Sequence, residues 1–345
     1  MHVLTHKVFY KTRLMRILLS GMLFIVVLVL ALSSILIVNN RSTSAVDTPW
    51  TPEDLTQLSA GGNHSCAITD GQAFCWGQNS GQLGNGTGGN SPIPTAVDNS
   101  DVLAGKTVTS ISAGNASTCA VADGQAYCWG ANTWGQLGNG TTDNNSIPVA
   151  VDTSGALAGK TITAISTGDI HTCAIADGQP YCWGQGFTLG NYDTTENSSV
   201  PVAVDTSGVL SGKTVTAISA GSTHTCVVAS GQAFCWGSND GFELGASSMQ
   251  THRVPVAVNT SGVLAGKTVT AISAAYNHSC AVANGQAFCW GQNEWGQLGS
   301  GGTVNSSVPV AVNTSGVLAG KTVTAISVAY DHSCAVANGQ ASVVI

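Results

Sequence analysis

From Leu55 to the end of the chain, short runs of alternating apolar and polar positions succeed one another, separated by turn-forming residues. Thr268-Val269-Thr270-Ala271-Ile272-Ser273 is one such run, and His278-Ser279-Cys280 opens the next. A period of two marks a strand, and Asn284-Gly285 between apolar runs marks a two-residue hairpin turn. The unit continues with F-C-W-G (Phe288 to Gly291) and a glycine-rich stretch ending G-Q-L-G (Gly296 to Gly299). A P-V-A-V run (Pro309 to Val312) and a loop closing on A-G-K-T (Ala319 to Thr322) complete it. The order recurs along the chain. The first cysteine of each unit stands at 66, 119, 173, 226, 280 and 334, at steps of 53, 54, 53, 54 and 54 residues. Four short strands per unit make one antiparallel blade, and blades set around an axis cover one another's faces. The pattern therefore predicts an all-β chain over residues 55–345: a β-propeller of four-stranded antiparallel blades, with five full units and a truncated sixth. In the sixth, Ser342-Val343-Val344-Ile345 replaces the expected F-C-W-G. The strand near Leu55 to Ser59 is a candidate to close it.

The pattern before Leu55 is different. Ile17 to Val38 carries no charge over 22 positions, about 33 Å as a helix and enough to cross a hydrocarbon core. Lys7, Lys11, Arg13 and Arg16 precede it, and Arg41 comes after it. That bias keeps residues 1–16 in the cytoplasm as a basic tail, makes 17–38 a single-pass transmembrane signal anchor in the cell membrane, and exports the rest of the chain. A cleaved signal peptide is the competing reading. Its apolar region is normally shorter than this one, although Thr43-Ser44-Ala45 offers small residues for cleavage. Residues 39–54, with Pro49 and Pro52, read as a linker.

Composition narrows the function. Only 8% of residues are charged, and the net charge is −7. Beyond Arg41 the positive residues are Lys106, Lys160, Lys213, Arg253, Lys267 and Lys321, five of them recurring once per unit. That is a structural habit rather than a basic track, so nucleic acid is not an expected partner.

Ten of the eleven cysteines form C-x8-C pairs: Cys66 with Cys75, Cys119 with Cys128, Cys173 with Cys182, Cys226 with Cys235, and Cys280 with Cys289. If Asp70-Gly71 is a two-residue turn, counting outward sets Cys66 opposite Cys75 at a non-hydrogen-bonded position, with Cα atoms about 4.5 Å apart. An oxidising compartment then gives one disulfide per blade. The rival readings are unbridged small core residues and zinc, for which a two-ligand pair at this spacing is poorly suited. Cys334 lacks a partner and is expected to be a free thiol.

The C-W-G-x-N step followed by G-Q-L-G, at Cys75 to Gly84, Cys128 to Gly138 and Cys289 to Gly299, resembles the repeat of the regulator of chromosome condensation family, in its exported bacterial type. The resemblance implies a propeller, typically of seven blades. It also raises guanine nucleotide exchange on a GTPase, although an exported, cysteine-paired, mildly acidic chain fits that activity poorly. The third unit, Gly184 to Gly190, and the fourth, Gly241-Phe242-Glu243-Leu244-Gly245, depart from the repeat and are expected to have altered loops.

No constellation stands out for catalysis or for a cofactor. His64, His171, His224, His278 and His332 recur two residues before a cysteine, but Ser117 breaks the series. Hydrogen bonding within each blade is the bland reading, set against a metal ring. Ser261 to Thr268 resembles a phosphate loop, but its glycines are one residue too close and no helix pattern succeeds it. Trp76, Trp129, Trp183, Trp236 and Trp290 hold a fixed register and read as packing between blades. Trp134, Phe187, Tyr192, Phe242 and Trp295 are loop aromatics particular to their units, which makes them the candidate partner-binding residues. The chain therefore reads as a membrane-anchored, extracytoplasmic binding scaffold for a protein or cell-wall glycan, not an enzyme. A glycan-active enzyme built on unrecognised loops is the further alternative.

Overall fold

The computed structural model describes residues 55–192 and 196–343. The basic tail, the apolar segment and the linker lie outside the described residues. Among the described residues no helix is long and apolar enough to cross a membrane.

The first blade is β1 (Leu55–Ala60), β2 (His64–Thr69), β3 (Gln72–Gly77) and β4 (Ser91–Ala96), joined antiparallel in chain order. Four more four-stranded sheets repeat this order, and a three-stranded sheet comes last. The innermost strands are β1, Val108–Ala113, Ile162–Thr167, Val215–Ala220, Val269–Ala274 and Val323–Val328. The turns after these strands surround an axial cavity of about 770 Å³, to which all six blades contribute.

The hairpin turns have the geometry that the sequence demands. Asp70 has φ of 49° and Gly71 of 72°, both left-handed. This is the type I′ pattern that matches strand twist and favours Asn or Asp before Gly. It sets the register, with Cys66 opposite Cys75 and Ala67 opposite Phe74.

The second strand of each interior blade is covered on both sides, so its alternation disappears: Ser117–Ala122 is buried at every position, as are its counterparts in the third, fourth and fifth blades. Apolar side chains collect in five slabs, each between two consecutive blades. In the first slab, Ile68, Leu83 and the Cys66–Cys75 pair face Ile111, Tyr127 and Trp129 of the second blade. Among the described residues no such slab joins the sixth blade to the first.

One expectation about the sixth unit is corrected. The strand near Leu55 does not close it, because β1 pairs with β2 inside the first blade. The altered end still pairs, within its own blade. Gln340–Val343 forms a strand against Ser333–Ala337, with Ser342 opposite Ala335 where the other units place an aromatic residue. Backbone pairing tolerates that replacement because the turn, Asn338-Gly339, is retained.

Candidate functional site

Most of the repeated polar residues are consumed in joining blades. His64 Nε2 lies 2.7 Å from Thr118 Oγ1 of the next blade. The Thr118 hydroxyl donates its proton to the Gln82 carbonyl at 2.9 Å, so His64 must donate from Nε2. The Trp129 indole donates to the same carbonyl at 2.9 Å. Both lone pairs of one oxygen are thereby used. His171 with Thr225, His224 with Ser279, and His278 with Ser333 repeat the contact at 2.7, 2.8 and 3.0 Å. The expected bond within each blade is thus corrected to a bond between blades. Burial pushes His64 and His278 down to about 4, and His171 and His224 down to about 3. These rings are neutral hydrogen-bond donors.

The same contacts explain the motif. A Cβ on Gly84 would fall 2.6 Å from the Trp129 indole nitrogen, so the last glycine of G-Q-L-G seats the next unit's tryptophan. Asn79 accepts the Gly81 and Leu83 amides and donates to the Thr87 and Gly89 carbonyls, which folds the loop between the third and fourth strands. A serine on each of the first five innermost strands reaches forward as well: Ser112 Oγ accepts the Thr167 amide and Ser166 Oγ the Ala220 amide, both at 2.9 Å. Trp129, Trp183, Trp236 and Trp290 are fully buried, as packing between blades requires. Trp76 has no preceding blade among the described residues and is only half-buried.

The five cysteine pairs are disulfides: Cys66 to Cys75, Cys119 to Cys128, Cys173 to Cys182, Cys226 to Cys235, and Cys280 to Cys289. Their Cα atoms are 4.0 to 4.1 Å apart, a little closer than the expected 4.5 Å, because each bond draws its two strands together. The pairs lie in the blade core, where Cys226 and Cys235 are wholly buried, so they hold hairpins and present no surface to a partner. Cys334 is free. The lysine of the A-G-K-T loop serves its own blade. Lys267 Nζ lies 5.7 Å from the Phe288 ring centre and 3.2 Å from Gln286 Oε1, and Lys106, Lys160 and Lys213 lie over Tyr127, Tyr181 and Phe234.

Function-bearing asymmetry lies elsewhere. In an antiparallel meander the first turn and the third-to-fourth loop fall at one end of the blade, and the remaining connections at the other. All five lysines fall at the second end. Trp134, Phe187, Tyr192, Phe242 and Trp295 all fall at the first. Trp295 and Tyr192 are 72% and 68% exposed and Trp134 is 37% exposed, whereas Phe187 and Phe242 are half-buried.

The altered loops of units three and four take shape here. Gly186–Thr188 is a short 3-10 turn, and the Thr188 carbonyl receives the Trp236 indole in place of the usual glutamine carbonyl. Phe242 stands where other units have glycine and keeps a left-handed φ of 66°. Glu243 replaces the glutamine. Its Oε2 accepts the Gly241 amide at 2.7 Å, while Oε1 is buried without a partner, and burial pushes its carboxyl up from the usual range.

Two aromatic residues at this end escaped the sequence pattern. Tyr276 and Tyr330 stack with ring centres 4.2 Å apart at the rim of the axial cavity. A hydrogen bond that the Tyr330 hydroxyl donates to Tyr276, desolvation, and the charges of Tyr276, Asp331 and Asp169 push the Tyr330 phenol up. The signal was present: the position two before each recurring His or Ser117 reads Gly62, Asn115, Asp169, Ser222, Tyr276 and Tyr330. It varies where its surroundings repeat. A cleft of about 550 Å³ continues outward from Tyr276 to Phe187, passing Thr223, Asp240 and Thr251. Of the five candidate aromatics, only Phe187 lines it.

Repeated four-stranded blades, clasped at four of five interfaces by a buried tryptophan and at four by a histidine, define a β-propeller built by tandem duplication. The Regulator of chromosome condensation (RCC1) repeat matches residues 70–121, 123–175, 177–228, 230–282 and 284–336, and a second form of it matches 55–82. The chain belongs to the RCC1 repeat family. It is 30% identical to the ultraviolet-B receptor UVR8 of Arabidopsis thaliana, over 75% of this chain and 58% of UVR8. It is 29% identical to the human E3 ubiquitin-protein ligase HERC2, over 76% of this chain and 5% of HERC2. The chain therefore spans little more than half the length of the first relative and a small fraction of the second. Among solved structures, human WBSCR16 superposes with a TM-score of 0.70 at 26% identity, covering 82% of this chain and 72% of that one. Prp20p of Saccharomyces cerevisiae shares the fold, with a TM-score of 0.66 at 19% identity over 81% of this chain and 67% of its own.

Proposed function

We propose that this chain is a binding propeller, anchored in a membrane by residues 17–38 and displayed on the extracytoplasmic side, where the aromatic end of its blades takes a protein partner. The observation that carries the reading is the pairing of ten cysteines across five hairpins. Such bonds persist in oxidising compartments and are rare in the cytosol. They weigh against a nuclear or cytosolic partner of the kind described for Prp20p, whose binding to Gsp1p and histones accompanies its structure. The repeated side chains hold blades together, so the residues free to recognise a partner are those that differ between units. The E3 ligase relatives are far longer than this chain, and ligase activity forms no part of the proposal.

The test is alkylation of the unreduced protein from its native host, read by intact mass. One labelled thiol, Cys334, is the expected result. Eleven labelled thiols would mean a reducing location, remove the case for export and restore an intracellular GTPase as the partner to examine.

A further inference from the structure

We propose that the cleft spanning the third, fourth and fifth blades, with the Tyr276–Tyr330 stack at its inner end, recognises an arginine- or lysine-bearing segment of a protein partner. The proposal rests on the binding-propeller reading but not on the membrane anchor or the compartment. Its first support is position. The cleft lies where the units stop repeating: Phe187 belongs to the altered third loop, Asp240 to the altered fourth, and Tyr276 to the variable first turn of the fifth blade. A specific site on a repeat protein needs such asymmetry, because a feature copied in every blade gives a partner no unique register.

The second support is the chemistry of the walls. Tyr276 is 37% exposed and Tyr330 is 61% exposed, so the stacked pair offers a ring face to solvent. A guanidinium or ammonium group is attracted to such a face, the more so when partly desolvated. Asp240 stands in the wall, and Asp169 and Asp331 act on Tyr330 at the inner end. The third support is charge segregation. The five lysines lie at the opposite end of the blades, each set before an innermost strand, and Arg253 is the one lysine or arginine at the aromatic end among the described residues. Asp143, Glu196 and Glu294 add to the acidic character of that end. A basic segment is drawn to this end, and an acidic one is not. A neutral glycan could stack on the same rings, but it would gain nothing from the carboxylates.

The experiment uses the full chain solubilised in a neutral detergent, with hexa-arginine, hexa-glutamate and a neutral chitohexaose as probes, and reads binding by calorimetry. The expected result is saturable binding of hexa-arginine alone, weakened by added salt. Tyr276→Ala with Tyr330→Ala should weaken it about tenfold, and Tyr276→Phe with Tyr330→Phe, which keep the rings, should retain it. Asp240→Asn with Asp331→Asn should weaken it severalfold, and Lys160→Ala with Lys213→Ala at the other end should leave it unchanged. Thermal melts of each variant separate lost binding from lost folding. Hexa-arginine binding that survives both the Tyr→Ala and the Asp→Asn pairs overturns the proposal, as does chitohexaose binding in its place, or no binding at all. If that happens while mass labelling still finds a single free thiol, the partner chemistry falls and the exported scaffold stands.

Discussion

At the scale of single residues, the blade interfaces are sensitive to protons in two opposite senses. His64, His171, His224 and His278 are buried and held at about 3 to 4, well below the ordinary histidine value. A group whose folded value is depressed gives stability above its unfolded value, near 6.5, and loses it as pH falls towards the folded value. At pH 5 the loss is on the order of 2 kcal/mol per histidine. Glu243 has the reverse sign. Its folded value is raised, so its contribution is present below the unfolded carboxylate value and is lost as pH rises through the folded one. Melting temperature against pH should therefore fall steeply below about pH 6. Glu243→Gln should raise stability at neutral pH and leave the acid limb in place. A profile flat between pH 6.5 and 4 would contradict the buried neutral state of the histidines.

At the scale of the element, the hairpin is the unit that the sequence states most directly. A two-residue turn with Asp, Asn or, in the fourth blade, Ser230 before Gly fixes which residues face each other, so the register and all five disulfides come from counting. Strand interiors and the turn at Asp70-Gly71 were legible for the same reason, because each is governed by neighbours close in sequence, and the tryptophans were legible through their fixed register in each unit. Contacts at a separation of about one unit were not. His64 touches Thr118 and Trp129 touches Gln82, and no local pattern says which carbonyl a buried indole will find. The cleft was hidden more deeply. Its walls come from three blades, and Tyr276 and Tyr330 occupy short first turns rather than the longer loops that carry the other unit-specific aromatics. Each disulfide closes a short loop, for which chain entropy gives about 2 to 3 kcal/mol. Cys173→Ala with Cys182→Ala should lower unfolding free energy by that amount in a urea titration, and the same change made under reducing conditions should cost much less.

At the scale of the propeller, stability among the described residues resides in five interfaces shared by six blades. Interior blades are held on two faces, and the first and sixth on one each, which in a near-neighbour system makes the terminal units the first to open. Hydrogen exchange should therefore run fastest in Val323–Val328, Ser333–Ala337 and Gln340–Val343, and slowest in His171–Ala176 and His224–Ala229. Uniform protection across all six blades would show a further interface closing the ring. Every clasp also points the same way: histidine and serine reach forward to the next unit, and tryptophan reaches back to the glycine and carbonyl of the previous one. The leading side of one complete blade thus resembles that of another, Ser117 of the second blade excepted. A genetic crossover between two copies of the repeat at the same phase adds or removes one whole blade and leaves every remaining joint matched. An exchange out of phase parts a tryptophan from its seat. The chain can change length in whole blades, and selection can then act on the few turn positions that the joints leave unclaimed.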